Sequence, residues 1–252
     1  MGDGHWFKTI RKKLSEDGLN ICAIVSGEQY DHILPGCRSV AVFANGGTVL
    51  WDHFIRDLKS NPEHLKAYVH PFDQFVQRLV LDSDPSPPDS RKWVMCAAEA
   101  DVFLDFRVLG LEAGLAENSL MGMLIHPKYG LWMGLRAALL TTEDLSEFSE
   151  TTQKNDICAS CEDKPCILAC PAQAVSIQGW DVELCARQHR VDVTCHGICH
   201  SRRRCPVGEE HRHGTLQHHY HNARETGRRA LAQFLSIDDS LLGIGPGWSD
   251  WE

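Results

Sequence analysis

The sequence predicts a mixed α+β protein in which a body of sheet and helices is followed by a cysteine-rich module. Short β-branched runs alternate with longer segments whose apolar residues recur at helical spacing. Eight of the eleven cysteines fall between Cys158 and Cys205. With 252 residues, 43% of them hydrophobic, the chain is long enough to bury a core in one or two domains.

Each element of the body follows from its local pattern. Strands are predicted where short β-branched or apolar runs are bounded by Gly and Pro, and helices where apolar residues recur every three or four positions. Prolines within 82–89 exclude a helix and predict a loop. The predicted strands are 19–25, 38–44, 92–97, 120–126 and 131–140, and the predicted helices are 49–58, 72–79 and 102–114. Together they predict one layered α+β structure around a single sheet.

Composition divides the chain into three parts. Residues 141–156 are polar and acidic, which predicts a linker. The expected domains are the α+β body at 1–145, the cysteine module at 146–214, and a C-terminal part at 215–252. In that last part a helix at 215–235 is expected to pack back on the body, before an irregular tail at 243–252.

Charge and hydropathy exclude several classes of protein. A net charge of −9 argues against a general nucleic-acid binder, whose affinity comes from neutralising phosphates. No apolar run approaches the roughly 18 residues of a transmembrane helix. Residues 1–15 are polar and basic, unlike a secretory signal, and thiols kept for metal imply a reducing compartment. We therefore expect no membrane partner and a cytoplasmic location.

The cysteines are ordered as Cys158-x2-Cys161-x4-Cys166-x3-Cys170-Pro171, then Cys185 and Cys195-x3-Cys199-x5-Cys205-Pro206. This order resembles the bacterial two-cluster ferredoxins, where each [4Fe–4S] cluster takes three thiolates from one loop and a fourth from the Cys-Pro that ends the other. The resemblance implies two ligand sets and therefore two clusters. The first set is Cys158, Cys161, Cys166 and Cys205, and the second set is Cys170, Cys185, Cys195 and Cys199.

The spacing departs from the ferredoxin pattern in two places, and other chemistries compete with iron and sulfide. Four residues separate Cys161 from Cys166, and nine separate Cys185 from Cys195. Zinc is the main alternative, because tetrahedral Cys/His sites can brace a small domain, and disulfides are a further one. The histidines that could join a zinc site are His189, His196 and His200. A separate histidine-rich segment is a further candidate metal site, and it contains His211, His213, His218, His219 and His221.

The stretch from Leu124 to Leu140 predicts a β-hairpin. Pro127 and Gly130 mark its turn, and Tyr129 and Trp132 present large amphipathic rings at its mouth. Such rings either cap a core or give a flat macrocyclic ligand an apolar surface.

This stretch, Ile125-His126-Pro127-Lys128-Tyr129-Gly130-x-Trp132-x3-Arg136 followed by Leu139-Leu140, resembles the matching segment of the CblC cobalamin-processing family. Asp73-Gln74 after a His-Pro pair, and the strand and helix from Val40 to Leu58, are also similar. That family shares a nitroreductase-like, cobalamin-binding architecture with epoxyqueuosine reductase and the reductive dehalogenases. Both of these join such a domain to a two-cluster ferredoxin module, and the resemblance to this layout covers about residues 35–210.

The resemblance implies a corrinoid that lies against the sheet, close enough to a cluster to receive electrons. The residues that match, and that are therefore candidate pocket residues, are His126, Pro127, Tyr129, Gly130, Trp132 and Arg136. We expect an iron–sulfur reductase that acts on or through a bound corrinoid, with ferredoxin, flavodoxin or a reductase as its low-potential electron donor. The alternative is a ferredoxin-like electron carrier whose N-terminal domain docks a partner. Flavin is a weaker expectation, since only Asn45-Gly46-Gly47 before a helix could receive a phosphate.

Overall fold

A computed structural model describes residues 4–67, 69–97, 100–149, 156–238 and 242. The predicted tail at 243–252 lies outside the described residues. The chain divides into two units. Unit 1 comprises the described residues within 1–53, 72–117 and 133–155, and unit 2 those within 54–71, 118–132 and 156–252.

The elements are numbered in chain order. The strands are β1 (Ile21–Ser26), β2 (Ser39–Gly46), β3 (Arg91–Met95), β4 (Glu117–Asn118), β5 (Leu124–Ile125), β6 (Met133–Thr141), β7 (Val175–Ser176) and β8 (Gly179–Trp180). The helices are α1 (His5–Glu16), α2 (Val49–Ser60), α3 (Glu63–Ala67), α4 (Pro71–Ser83), α5 (Phe106–Glu112), α6 (Ile157–Ser160), α7 (Pro165–Leu168), α8 (Val182–Val191), α9 (Val193–Gly197), α10 (His200–Arg204), α11 (Thr215–Asn222) and α12 (Arg224–Phe234).

Unit 1 is built on a four-stranded antiparallel sheet in the order β1-β2-β6-β3. Every residue of β2 is buried, because this strand is paired on both sides. Its run of Val, Ala and Phe suits that position, since a central strand covered on both faces is apolar throughout rather than alternating. A register shift between Phe43 and Ala44 marks an irregularity in the pairing of β2 with β6.

Helix α1 covers part of this core. It buries Phe7, Ile10 and Leu14, which share one face at helical spacing. The Phe7 ring lies 6.4 Å from the Phe43 ring of β2 and 5.1 Å from the Phe148 ring. The chain after β6 therefore packs on unit 1 at least as far as Phe148, so this part of 141–156 is not the free linker that its polar composition predicts.

Unit 2 has one core beneath the cysteine-bearing segments and another around its helices. The first is a cluster of buried apolar residues, namely Met121, Ile125, Leu131, Ile157, Val175 and Cys205. In the second, the Phe54 ring lies 5.8 Å from the Tyr220 ring of α11. The buried guanidinium of Arg228 in α12 donates to the Leu65 carbonyl of α3, which satisfies a group that a helix end leaves without a partner.

The sequence predicted most elements of unit 1 within a few residues. The strands at 19–25, 38–44 and 131–140 are confirmed as β1, β2 and β6, and the helices at 49–58 and 72–79 as α2 and α4. Other elements are shorter or divided. Of the helix predicted at 102–114, only the part that forms α5 is helical. The helix predicted at 215–235 is divided into two helices, α11 and α12, which meet at Ala223.

The predicted hairpin is wrong. Strand β5 is confined to Leu124–Ile125 and belongs to a two-stranded sheet with β4, whereas β6 lies between β2 and β3 in the main sheet. A single bridge between His126 and Gly130 closes a tight loop instead. The prediction of one sheet fails for the same reason: the strand predicted at 120–126 was assigned to the body, but its residues pair elsewhere.

Candidate functional site

Short helices in unit 2 separate the eight clustered cysteines. Aspartate side chains start two of these helices: Asp181 accepts from the Leu184 amide of α8, and Asp192 accepts from the Thr194 amide of α9. The eight cysteines lie within these short helices or next to their ends. Cys158 is in α6 with Cys161 just after it, Cys166 is in α7 with Cys170 beyond it, Cys185 is in α8, Cys195 is in α9, and Cys199 and Cys205 flank α10.

The thiols of the first set are neighbours. Burial raises the pKa of Cys205, and the charges of Cys166, Cys158 and Cys161 raise it further. Burial also raises the pKa of Cys166, with added contributions from Cys158 and Cys161. In addition, Cys158 and Cys166 pack against the apolar cluster that contains Cys205. Cys205 thus lies with the three cysteines from which it is separated by about 40 residues or more of chain.

The thiols of the second set are neighbours in the same way. Burial raises the pKa of Cys195 to about 11, and Asp192, Cys199, Cys170 and Cys185 add to the effect. Burial likewise raises the pKa of Cys199, to which Cys185 and Cys170 contribute. Four thiols that crowd together disfavour one another's ionisation unless a cation offsets the charge.

Cys205 thus has Cys166, Cys158 and Cys161 among its charged neighbours, and Cys195 has Cys199, Cys170 and Cys185. All eight residues are thiols, so the disulfide alternative is not seen in them. Within the described part of the chain, no group of three or more His, Cys, Asp or Glu side chains has the geometry to hold a metal ion. A zinc ion draws sulfur ligands to about 2.3 Å from one centre, whereas a four-iron cluster bonds each thiolate to a different iron and so spaces its ligands more widely.

The loop from His126 to Trp132 is held by its own backbone. The amide and carbonyl groups of His126 and Gly130 exchange hydrogen bonds of 2.9 and 2.8 Å. The Nδ1 atom of His126 accepts from the Lys128 amide at 3.0 Å and from the Tyr129 amide at 3.2 Å. Burial, with Lys128 and His211, lowers the pKa of His126 to about 4, so the ring is neutral near pH 7 and keeps the lone pair that fixes the loop.

This loop packs directly against the chain that follows Cys205. Gly130 has a φ of +56°, and a Cβ at this position would overlap the Val207 carbonyl. Gly208 has a φ of +68°, and a Cβ there would overlap the Tyr129 backbone. The two glycines therefore allow two backbones to meet without side chains between them. The second Cys-Pro and the candidate pocket loop are one packed structure within unit 2.

Trp132 lies in the interior of unit 2 and is fully buried. His213 and His218 contact its ring edge-on, with ring centres 5.2 and 5.6 Å away. The Arg202 guanidinium lies over the ring at 4.6 Å and donates to the Leu131 carbonyl at 2.6 Å. Packing therefore accounts for this ring, and the same holds for Gly130.

The remaining candidate residues differ in exposure and in unit. Pro127 is exposed, whereas His126 and Tyr129 are half-buried, and their rings are in tilted contact with centres 5.0 Å apart. Arg136 belongs to unit 1, where its Nε atom donates to Asn45 at 2.7 Å and its guanidinium lies 4.8 Å from the centre of the Phe72 ring.

One residue of the histidine-rich segment, His218, contacts the second cysteine set, a contact that the sequence did not reveal. His218 is fully buried in α11, and its Nε2 atom accepts from the Cys199 amide at 3.1 Å. Burial, with Arg202 among the nearby charges, lowers the pKa of His218 to about 3. Four residues later, the Asn222 amide donates to the Cys195 carbonyl. The spacing of four residues was the available signal, since it places both side chains on one helix face.

Comparison with known proteins shows a similarity to solved structures. No family model and no curated protein matches the chain. Among solved structures, the chain is similar to the C. elegans B12-trafficking protein CblC, described as a homologue of human MMACHC. The TM-score is 0.54 at 11% identity, over 94% of this chain and 98% of that one.

The protein therefore has a mixed α+β, CblC-like fold, which confirms the expected fold class in that general form. None of the helices among the described residues combines the length and the apolar character needed to cross a bilayer.

The first prediction concerns the loop packing. Replacing Gly130 with Ala forces a left-handed backbone on a residue with a side chain and drives a methyl group into the Val207 carbonyl, so we expect a loss of at least about 2 kcal/mol in unfolding free energy. Gly214→Ala is the matched control, because a Cβ there meets nothing within 4 Å. Chemical denaturation of both variants tests this, and equal midpoints would contradict it.

The second prediction concerns pH. The pKa of His126 is lowered in the fold, so its stabilisation is present above the ordinary value of 6.5 and is lost as the pH falls towards 4. Substituting His126→Asn keeps an acceptor for the two amides but removes the titration. Unfolding free energies measured between pH 4 and pH 6.5 should then vary less steeply than in the wild type. His32→Asn, on an exposed turn, should retain the wild-type slope, and an unchanged slope in His126→Asn would show that this ring does not govern acid stability.

Proposed function

We propose that the protein is a corrinoid-binding iron–sulfur reductase, in which two [4Fe–4S] clusters pass single electrons to a corrinoid held by the CblC-like fold. The observation that carries the proposal is the grouping of the thiols. The charges of Cys166, Cys158 and Cys161 raise the pKa of Cys205, and the charge of Cys170 is among those that raise the pKa of Cys195, which supports the exchange. In two-cluster ferredoxins the Cys-Pro that ends each loop ligates the other cluster, which is the exchange proposed here.

The residues present suit clusters of this kind. Each set supplies four thiols, and Cys205 is buried among apolar side chains that restrict water, which is one of the factors that set a cluster's reduction potential. The proposed module at 146–214 would carry the clusters, between a body at 1–145 and a C-terminal part at 215–252. When bound, such clusters accept and release one electron at a time, so the protein needs a low-potential donor such as ferredoxin, flavodoxin or a reductase.

Support for the corrinoid comes from the fold. The similar C. elegans structure is a B12-trafficking protein, and the likeness extends over almost the whole of both chains. Of the candidate pocket residues in unit 2, His126, Pro127 and Tyr129 retain exposed surface and are proposed ligand contacts; Arg136, in unit 1, is half-buried and is proposed as a ligand contact of that unit. Gly130 and Trp132 are proposed to shape the pocket loop from beneath, because both are buried.

A second function, a ferredoxin-like electron carrier without a corrinoid, draws support from the same loop. The expected hairpin is not formed, and Trp132 is packed inside unit 2 rather than presented to a ligand. In that case the clusters would exchange electrons with partner proteins only. Corrinoid binding separates the two functions.

The third prediction tests the ligand sets. Wild-type protein reconstituted without oxygen should contain about eight irons and about eight sulfides per chain, and Cys205→Ala and Cys170→Ala about four of each. The two variants should lose different electron paramagnetic resonance signals, because each cysteine serves a different cluster. Cys37→Ala, which alters a buried cysteine paired with neither set, is the control and should keep about eight irons. Zinc without sulfide would exclude clusters.

The fourth prediction tests the corrinoid. Titration of the reconstituted protein with cobalamin should change the visible absorption of the cobalamin with a saturable dependence. Replacing Arg136 with Gln should weaken binding by about tenfold, the effect of roughly 1.4 kcal/mol from one lost charged contact. Arg38→Gln, which removes an exposed arginine paired with Asp144, should bind as the wild type does. The carrier function predicts no spectral change at any concentration.

A further inference from the structure

The second cysteine set contains an interrupted helix. In an α-helix the amide of Cys199 would donate to the carbonyl of Cys195, four residues earlier. Here α9 ends at Gly197, and Ile198 and Cys199 adopt extended backbone with ψ values of 117° and 107°. The amide and the carbonyl that would have bonded to each other are therefore both left to find other partners.

Both partners come from one face of α11. The Nε2 atom of His218 accepts a hydrogen bond from the Cys199 amide, and the side-chain amide of Asn222 donates one to the Cys195 carbonyl. Each side chain thus replaces one partner of the backbone hydrogen bond that would have continued α9. In a continued helix, Cys195 and Cys199 would stack on one face with Cβ atoms about 5–6 Å apart. Because the two side chains replace the helical hydrogen bond, Cys199 does not have to stack on Cys195, and its backbone turns towards α10.

Packing alone does not explain a histidine at this position. His218 is fully buried, and among the described residues its Nδ1 atom has no hydrogen-bond partner. A buried donor without a partner costs about 1–3 kcal/mol, so an apolar side chain of similar size would serve the core better. The group that offsets this cost is the acceptor Nε2, which is bonded to the Cys199 amide.

We propose that His218 and Asn222 are positioning residues that hold Cys195 and Cys199 in the geometry the second cluster requires. The inference rests on the proposed function. It adds that the second cluster depends on α11 and that the first cluster does not. The first set has no contact of this kind with α11 among the described hydrogen bonds, so it should assemble without these two side chains. Outer-sphere groups of this sort orient the ligands of metal sites generally.

The fifth prediction is selective loss of one cluster. His218→Leu removes the acceptor and keeps an apolar side chain, so iron should fall about twofold, from about eight to about four per chain. The remaining paramagnetic signal should match that of the Cys170→Ala variant. His218→Gln places an amide oxygen near the position of Nε2 and should restore about eight irons. His221→Gln, an exposed position on the same helix, is the matched control and should also hold about eight.

The outcomes are distinguishable. If His218→Leu keeps both clusters with unchanged reduction potentials, the inference is wrong although the proposed function stands. Wild-type protein that binds neither iron nor sulfide would overturn the proposed function and this inference with it. If His218→Leu does not fold, Asn222→Asp decides, because it preserves shape but replaces the donor at the Cys195 carbonyl with an acceptor. About four irons in that variant supports the inference, and about eight overturns it.

Discussion

The close approach of two backbones, at Gly130 and at Val207 to Gly208, is the contact on which the candidate site depends. It is possible only because both glycines adopt left-handed backbone and carry no side chain. Through it the loop at 126–132 is fixed against the chain that carries Cys205. The thiol that completes the first set is thereby placed by residues that lie about 75 positions earlier in the sequence.

The two cysteine sets share one apolar cluster. Cys205 belongs to this cluster, and Cys158, Cys166, Cys170 and Cys199 pack against it, so hydrophobic burial contributes to both sets. The second set has in addition directed hydrogen bonds from α11 to the backbones of Cys195 and Cys199. Burial raises the pKa of Cys166 and Cys205 in the first set and of Cys195 and Cys199 in the second, so iron would displace protons from these thiols on assembly.

The sequence-based predictions were accurate where an element depends on its own local pattern, and less accurate where it depends on contacts with distant segments. Strand β2 could be predicted because the whole strand is buried and is therefore apolar throughout. Helix α4 could be predicted because its apolar residues recur at helical spacing and Pro71 stands at its start. Helix α1 was missed, since its charged residues outnumber the three buried ones that share a face. The hairpin was wrong because its turn signals are genuine but local, and they do not specify which strand each arm will pair with.

By itself the sequence determined the mixed α+β class and the number of clustered thiols, and its resemblance to two-cluster ferredoxins predicted a division of those thiols into two sets. Only the tertiary structure decided that Trp132 is a packing residue, that Arg136 belongs to a different unit from the rest of the candidate pocket, and that α11 supports the second set. The physical reason is that spacing along a chain constrains ligands a few bonds apart. Burial and hydrogen bonds between distant segments depend on a fold that no short motif encodes.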